Sequence, residues 1–363
     1  MAAVDRPWRA VCAVGLALLC GGGVAAGQSR GEAIYRRACA ACHGLDGRGA
    51  PRETVGFEVP LPDFTDCAFT SAEPTADWLA VAHDGGPARA FDRRMPAFGE
   101  ALSVGEIVSA LDYIRDFCLD PQAWPRGELN LPRPLVTEKA YPENELVMTT
   151  SVQSGAATVQ VLYERRVGAL GQLEVGVPLA AQDDASGRRR LGLGDLSIGF
   201  KRVLVHRLAA GRIVSLGGEV MLPTGRQSLG LGRTAVIEPF VALGQVLAGS
   251  WFWHAQAGAE LAATNGGDRE VFGRTAVGAT LEHGRFGRAW SPMLELLASR
   301  PLQAGAPVRW AAVPQLQLTL SRRQHIMLSV GARVPLDSRD EGGARLMTYF
   351  LWDWVDGGLF EGW

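Results

Sequence analysis

Residues 35–47 read YRRACAACHGLDG, and the order C-x-x-C-H within them decides the N-terminal part of the chain. Two thiols one helical turn apart, followed directly by an imidazole, form the attachment pattern for haem c. The thiols add across the two vinyl groups of one haem edge, and the imidazole lies under the iron as an axial ligand. Cys39, Cys42 and His43 meet that requirement. A zinc half-site would want a second cysteine or histidine pair at short spacing, and the chain has none. A redox dithiol of the thioredoxin type would want a strand–helix–strand context, whereas the flanking sequence is helix-like.

A second axial ligand is expected downstream. Residues 93–118, RRMPAFGEALSVGEIVSALDYIRDFC, supply Met95 followed by Pro96 and then a helix. Ser103 and Glu106 spell a capping box, after which Ile107, Ala110, Leu111 and Ile114 recur at helical spacing. His83 is the competing ligand, but it precedes a glycine turn and reads as solvent-exposed. With these motifs in place, residues of about 30–120 resemble a class I cytochrome c. The resemblance implies an N-terminal helix running into the haem motif, a Met-Pro loop, and a C-terminal helix packed on the first through aromatics, here Tyr35 and Tyr113. A thioether opposite an imidazole raises the reduction potential and leaves the iron no open position. The expected role is therefore single-electron transfer rather than enzymatic chemistry.

The first 27 residues read as an export signal. Arg6 and Arg9 precede an apolar run from Ala10 to Ala26, and VAAGQ at 24–28 offers small residues for cleavage. Beyond residue 30 no run of 18 apolar residues occurs, so no transmembrane helix is expected. Loss of the signal removes Cys12 and Cys20 and leaves Cys39, Cys42, Cys67 and Cys118. An exported compartment permits disulfides, and Cys67 and Cys118 can pair, although spacing alone does not prove it. The net charge of −2 supplies no basic field and argues against a nucleic-acid partner.

Five prolines fall between Asp120 and Pro142. Such a stretch resists helix and favours extended structure, so residues 121–142 read as a tether between domains. From residue 143 the hydrophobic period changes from 3.6 to 2. QLEVGVPL places Leu173, Val175, Val177 and Leu179 on one face, against Gln172 and Glu174 on the other. DLSIGF (195–200), QLQLTLS (315–321) and HIMLSVGARV (325–334) repeat the alternation. Twelve such segments can be counted between 143 and 356. Most run ten to fifteen residues, longer than a globular strand and right for a tilted bilayer crossing of about 9–11.

Glu174, Lys201, Glu219, Glu260, Glu282 and Arg333 mark the polar face, which suits a barrel with a wet lumen. Longish polar loops alternate with short turns, the pattern of an outer-membrane barrel. Trp251, Phe252 and Trp253, then Tyr349, Phe350, Trp352 and Trp354, cluster where interface girdles are expected. DGGLFEG (356–362) lies between the last strand and Trp363, a departure from the usual barrel end. GLGDLSIGFKRVL (192–204) and GGEVMLPTGRQSLGLG (217–232) resemble the outer-membrane barrel family named for the meta-pathway of phenol degradation. Periodicity alone also allows a soluble sandwich or a lipocalin-like barrel.

The expected organisation is a signal peptide at 1–27, an all-α monohaem cytochrome c domain at 28–120, a proline-rich linker at 121–142 and an antiparallel barrel at 143–363. Its layout is similar to fused cytochrome–porins. That resemblance implies an outer-membrane cytochrome, its haem domain on the periplasmic side, exchanging electrons with periplasmic redox proteins. Its further partner is expected at or across the membrane and includes an extracellular donor or acceptor such as a metal ion. The alternatives are a barrel that carries an organic solute or metal ion beside a linked cytochrome, and a barrel that only anchors in outer-membrane lipid. One haem does not bridge an apolar band of about 25 Å.

Overall fold

The computed structural model describes residues 29–184, 186–229, 231–264, 269–283, 288–337 and 343–363. The export segment expected at 1–27 lies outside them, as does the side chain of Glu282.

The N-terminal domain holds six helices: α1 Arg30–Ala38, α2 Ala40–His43, α3 Arg52–Val55, α4 Cys67–Ala72, α5 Thr75–Asp84 and α6 Val104–Arg115. Ser29 caps α1 by accepting from Glu32 N–H, and Ser103 and Glu106 close a reciprocal capping box on α6. Tyr35, Phe64, Ile107, Leu111 and Ile114 form the buried centre. The two terminal helices cross there because Gly31 lets them approach. A Cβ on Gly31 would stand 2.1 Å from the carbonyl oxygen of Ser109 and 3.1 Å from the Cβ of Tyr113. Tyr35 fills the crossing against Tyr113 and Phe117, with ring centroids 5.5 and 5.2 Å away. Cys67 is bonded to Cys118, tying α4 to the segment after α6.

Gly31→Val is expected to cost the domain about 1–3 kcal/mol by overpacking. Gly105→Ala, on α6 with nothing within 4 Å of the new methyl group, should be neutral or slightly stabilising. Denaturant midpoints followed by tyrosine fluorescence compare the two; equal midpoints would refute a close crossing at Gly31.

The second domain is a closed antiparallel barrel. Its strands are β1 Glu145–Gln153, β2 Ala156–Val167, β3 Gly171–Asp183, β4 Arg189–Leu193, β5 Leu196–Arg207, β6 Arg212–Leu222, β7 Val236–Val246, β8 Trp251–Ala262, β9 Arg269–Ala279, β10 Leu281–His283, β11 Arg288–Pro301, β12 Arg309–Thr319, β13 Ile326–Pro335 and β14 Arg345–Asp353. β4 and β5 pair successive parts of β3, and β9 and β10 pair successive parts of β11. Each couple is one interrupted stave, so the fourteen segments make a barrel of twelve. β14 closes it on β1, with Val147 opposite Leu351 and Thr149 opposite Tyr349.

The faces are inverted relative to a soluble sandwich. On β3, Leu173, Val175, Val177 and Leu179 are exposed, while Gln172 and Glu174 are buried. On β11, Leu294 and Leu296 are exposed between buried Ser291, Met293 and Glu295. A closed sheet with a mainly aliphatic face outward and its polar face inward matches a bilayer environment, because the strands pair around the ring and the outer surface is predominantly apolar. The strict alternation also corrects the girdle reading at two positions. Phe252 and Tyr349 are 2% and 1% exposed and point into the barrel, while Trp251 and its outward neighbours face lipid.

The larger correction concerns residues 121–142. They do not form a free tether. They run through the barrel interior, and from Ala123 to Glu145 no residue is exposed. Leu129, Ala140 and Tyr141 pack among Val203, Ile213, Phe240, Ala242 and Phe272 of the barrel wall. An irregular segment in such a place must find partners for its backbone, and the lumen side chains supply them. Glu295 accepts from the N–H groups of Val136 and Thr137, at 3.1 and 2.7 Å. Gln315, Gln317 and Gln256 accept from Leu135, Arg133 and Glu138 N–H, at 3.0, 3.1 and 3.0 Å. Tyr349 donates to the carbonyl of Arg133 at 2.8 Å, and Lys201 to that of Lys139 at 2.8 Å. The prolines assist by removing N–H groups that would otherwise need acceptors. The expected wet lumen is therefore occupied: Glu174 receives a bond from Gln172 and lies 3.7 Å from Lys201. Arg133 is paired with Glu164 at 2.7 Å and with Glu145.

Candidate haem centre

Cys39 terminates α1 and starts α2, so one short helical segment around that break carries Cys39, Cys42 and His43. Gly44 ends the turn at φ +76°, a left-handed conformation open to glycine. The buried Tyr35 hydroxyl donates to the Gly44 carbonyl at 2.6 Å, fixing the turn to the helix crossing. Both thiols are unbonded, while the other two cysteines are joined to each other. Burial, and then the neighbouring Cys42, push the Cys39 thiol up to about 11, so it is protonated at neutral pH. Burial pushes the His43 imidazole below its usual value, leaving the neutral ring that a metal requires.

The His43 ring stacks on Phe64 at 4.9 Å. Phe64 in turn meets Trp78 of α5 at 5.6 Å and Phe69 of α4 at 6.5 Å. Arg115 covers Trp78 from the far side, its guanidinium 4.7 Å from the ring. His43 Nδ1 is buried without a hydrogen-bond partner. Two free thiols, a neutral imidazole with an orphaned ring nitrogen and an apolar aromatic wall form a donor set that fits a covalently held haem. Phe64, Phe69 and Trp78 escape the sequence reading, because aromatic residues in loops and short helices carry no periodic signal.

Met95 stands on a separate loop. Its carbonyl accepts from Gly86 N–H at 3.0 Å, and the segment after it is pinned to the end of α5 by Phe98 N–H to Ala82 and Gly99 N–H to His83, at 3.0 and 2.9 Å. His83 is half-exposed, with Nδ1 3.0 Å from Asp84 Oδ1. Its ring rests against Gly99, where an added Cβ would come within 2.5 Å. That packing leaves His83 only partly exposed, where the glycine turn suggests a solvent-exposed ring.

Fold and site together define a cytochrome c domain fused to a membrane-spanning β-barrel. Residues 26–114 match the family described as cytochrome c oxidase, cbb3-type, subunit III; the match is to the N-terminal domain alone and implies haem c there. No curated protein matches the chain. Solved structures similar to the barrel include an outer membrane channel from Pseudomonas putida F1, at 12% identity and a TM-score of 0.40 over 61% of this chain and 99% of that one. The KdgM porin is similar at 8% identity and a TM-score of 0.38, over 57% of this chain and 98% of the porin. The membrane character of the barrel rests on its own closure and apolar exterior.

Proposed function

We propose that the chain is an outer-membrane-anchored monohaem cytochrome that passes single electrons between periplasmic carriers and a partner at the membrane. In this reading Cys39 and Cys42 would hold one haem c, and His43 and Met95 would ligate its iron. When bound, the haem supplies a one-electron iron couple. The rest is the work of this chain's side chains. The turn at Cys39–Gly44 presents thiols and imidazole from one rigid element. Phe64, Trp78 and Phe69 exclude water on the His43 side, and the disulfide and the α1–α6 crossing hold the frame.

The observation that carries the reading is the joining of this donor set to a barrel filled by the chain's own linker. A filled barrel favours anchoring over carriage of an organic solute or metal ion. Placement of the haem domain on the periplasmic side is supported by the connections. The cytochrome lies at the end bearing the short turns Gly168–Leu170, Leu208–Gly211 and Leu247–Ser250, and the longer loops lie at the other. The test is haem absorbance in intact cells after reduction, with a membrane-impermeant oxidant added outside. The haem is expected to stay reduced until the outer membrane is permeabilised. Prompt oxidation in intact cells would instead establish an electron path to the surface, the role expected of an extracellular metal oxidase.

A further inference from the structure

The segment after β14, which departs from an ordinary barrel end, folds back over the β12–β13 turn. The Gly362 carbonyl accepts from Arg322 N–H at 2.7 Å, the Gly358 carbonyl lies 3.1 Å from His325 Nε2, and the Gly357 carbonyl accepts from Trp352 Nε1 at 2.9 Å. Two glycines of DGGLFEG, Gly357 and Gly362, make room for this. A Cβ on Gly357 would lie 2.6 Å from Arg323 Nη1, and one on Gly362 would lie 2.9 Å from the Cβ of Arg323. The tail thus wraps the side chain of Arg323. Nη1 donates to Glu361 at 3.0 Å and to the Asp356 carbonyl at 3.3 Å.

Held this way, Arg323 reaches out of the barrel and into the cytochrome. Nη2 donates to the Ala90 carbonyl at 3.0 Å, and the guanidinium lies 4.6 Å from the centre of the Phe91 ring. Among the described residues, the non-glycine positions with left-handed backbone are Ala90, at φ +55°, and Gln324, at φ +62°. They lie on the two sides of this one contact. Such backbone is unfavourable for a residue with a side chain and persists where surroundings enforce it. Ala90 belongs to the loop that carries Met95. Phe91 N–H bonds to the Gly86 carbonyl at 2.9 Å, Gly86 N–H to that of Met95 at 3.0 Å, and Met95 N–H to that of Asp92 at 3.2 Å. The loop from Gly86 to Met95 is therefore tied together by its own hydrogen bonds and held at its outer edge by the barrel.

We propose that Arg323 is a positioning residue, through which the barrel and its C-terminal tail fix the Met95 loop and so hold the methionine on the iron. The inference rests on the reading of Met95 as an axial ligand. A charge-assisted hydrogen bond with a stacked ring is strong enough to shift a loop equilibrium by about tenfold when removed. The test uses full-length oxidised protein in detergent, titrated with imidazole, which competes for the position held by methionine.

Arg323→Ala is expected to bind imidazole about tenfold more tightly than the parent, and Arg323→Lys should restore part of the difference. Met95→Ala is the control for the ligand reading. If it leaves the haem spectrum and the imidazole affinity unchanged, the ligand assignment fails and the proposal with it. If Met95→Ala changes both and Arg323→Ala changes neither, the ligand stands and the positioning role is overturned. Should Arg323→Ala fail to give a heat-modifiable barrel on gels, Phe91→Leu removes the stacked ring and leaves the barrel intact. It is expected to tighten imidazole binding several-fold, and an unchanged affinity overturns the proposal.

Discussion

Replacing both Cys39 and Cys42 by alanine is expected to abolish covalent haem, leaving a full-length chain that no longer stains for haem on a denaturing gel. The reason lies in the partition of the four thiols. Cys67 and Cys118 are consumed by their mutual bond, and the remaining two share one helical turn with His43. No other described cysteine is free to form a thioether. Each single replacement should keep a haem held by one bond, and His43→Ala should keep the attachment while changing the spectrum of the iron. The double replacement is also expected to weaken the domain beyond the loss of two small side chains. Cys39 packs on the Tyr35 core, and the aromatic wall beside His43 would lose the group it covers. Haem that survives acid extraction from the Cys39→Ala/Cys42→Ala chain would place the attachment elsewhere.

The second large effect concerns the linker. Exchanging residues 126–143 for a glycine–serine segment of equal length should turn a silent barrel into a pore. In planar bilayers the parent is expected to show no resolvable conductance steps, and the exchanged protein stepwise opening. Twelve staves enclose a space between a side-chain-filled eight-stranded barrel and an open sixteen-stranded porin. Here the chain's own Leu129, Leu131, Arg133 and Tyr141 take up that space. The wall they leave behind carries Gln172, Glu174, Lys201, Glu295, Gln315 and Gln317, groups that water solvates readily. The emptied barrel should therefore stay folded.

A milder version is Arg133→Ala. It leaves Glu145 and Glu164, both within hydrogen-bonding reach of the lost guanidinium, buried and facing each other without the positive charge that bonds to them. Breaking such a pair costs about 3–5 kcal/mol, and the variant should show as faster protease cleavage within 126–143. Conductance by the parent equal to that of the exchanged protein would mean that the linker does not seal. Silence of both would mean that the wall side chains alone fill the lumen. Solute carriage by this barrel requires the first of these outcomes or withdrawal of the linker.

By itself the sequence determined what depends on local spacing. The C-x-x-C-H turn, the capping box at Ser103 and Glu106, and the period-2 segments each follow from neighbours a few residues apart. For that reason all twelve staves are legible in the sequence. Alternation also assigned Glu174 and Lys201 to the interior, since the side-chain direction of a strand reverses at every residue. Only the tertiary structure decided what fills that interior. A proline-rich stretch reads identically as a solvated tether or a buried thread, because its backbone demand is low in both. The difference lies in Glu295, Gln315, Gln317 and Gln256, more than a hundred residues further on, whose side chains accept its N–H groups. The same holds for Arg323. Nothing in SRRQ separates it from a solvated turn arginine, and its grip on Ala90 and Phe91 exists only because β14 closes on β1 and brings the tail, the turn and the cytochrome to one end of the barrel.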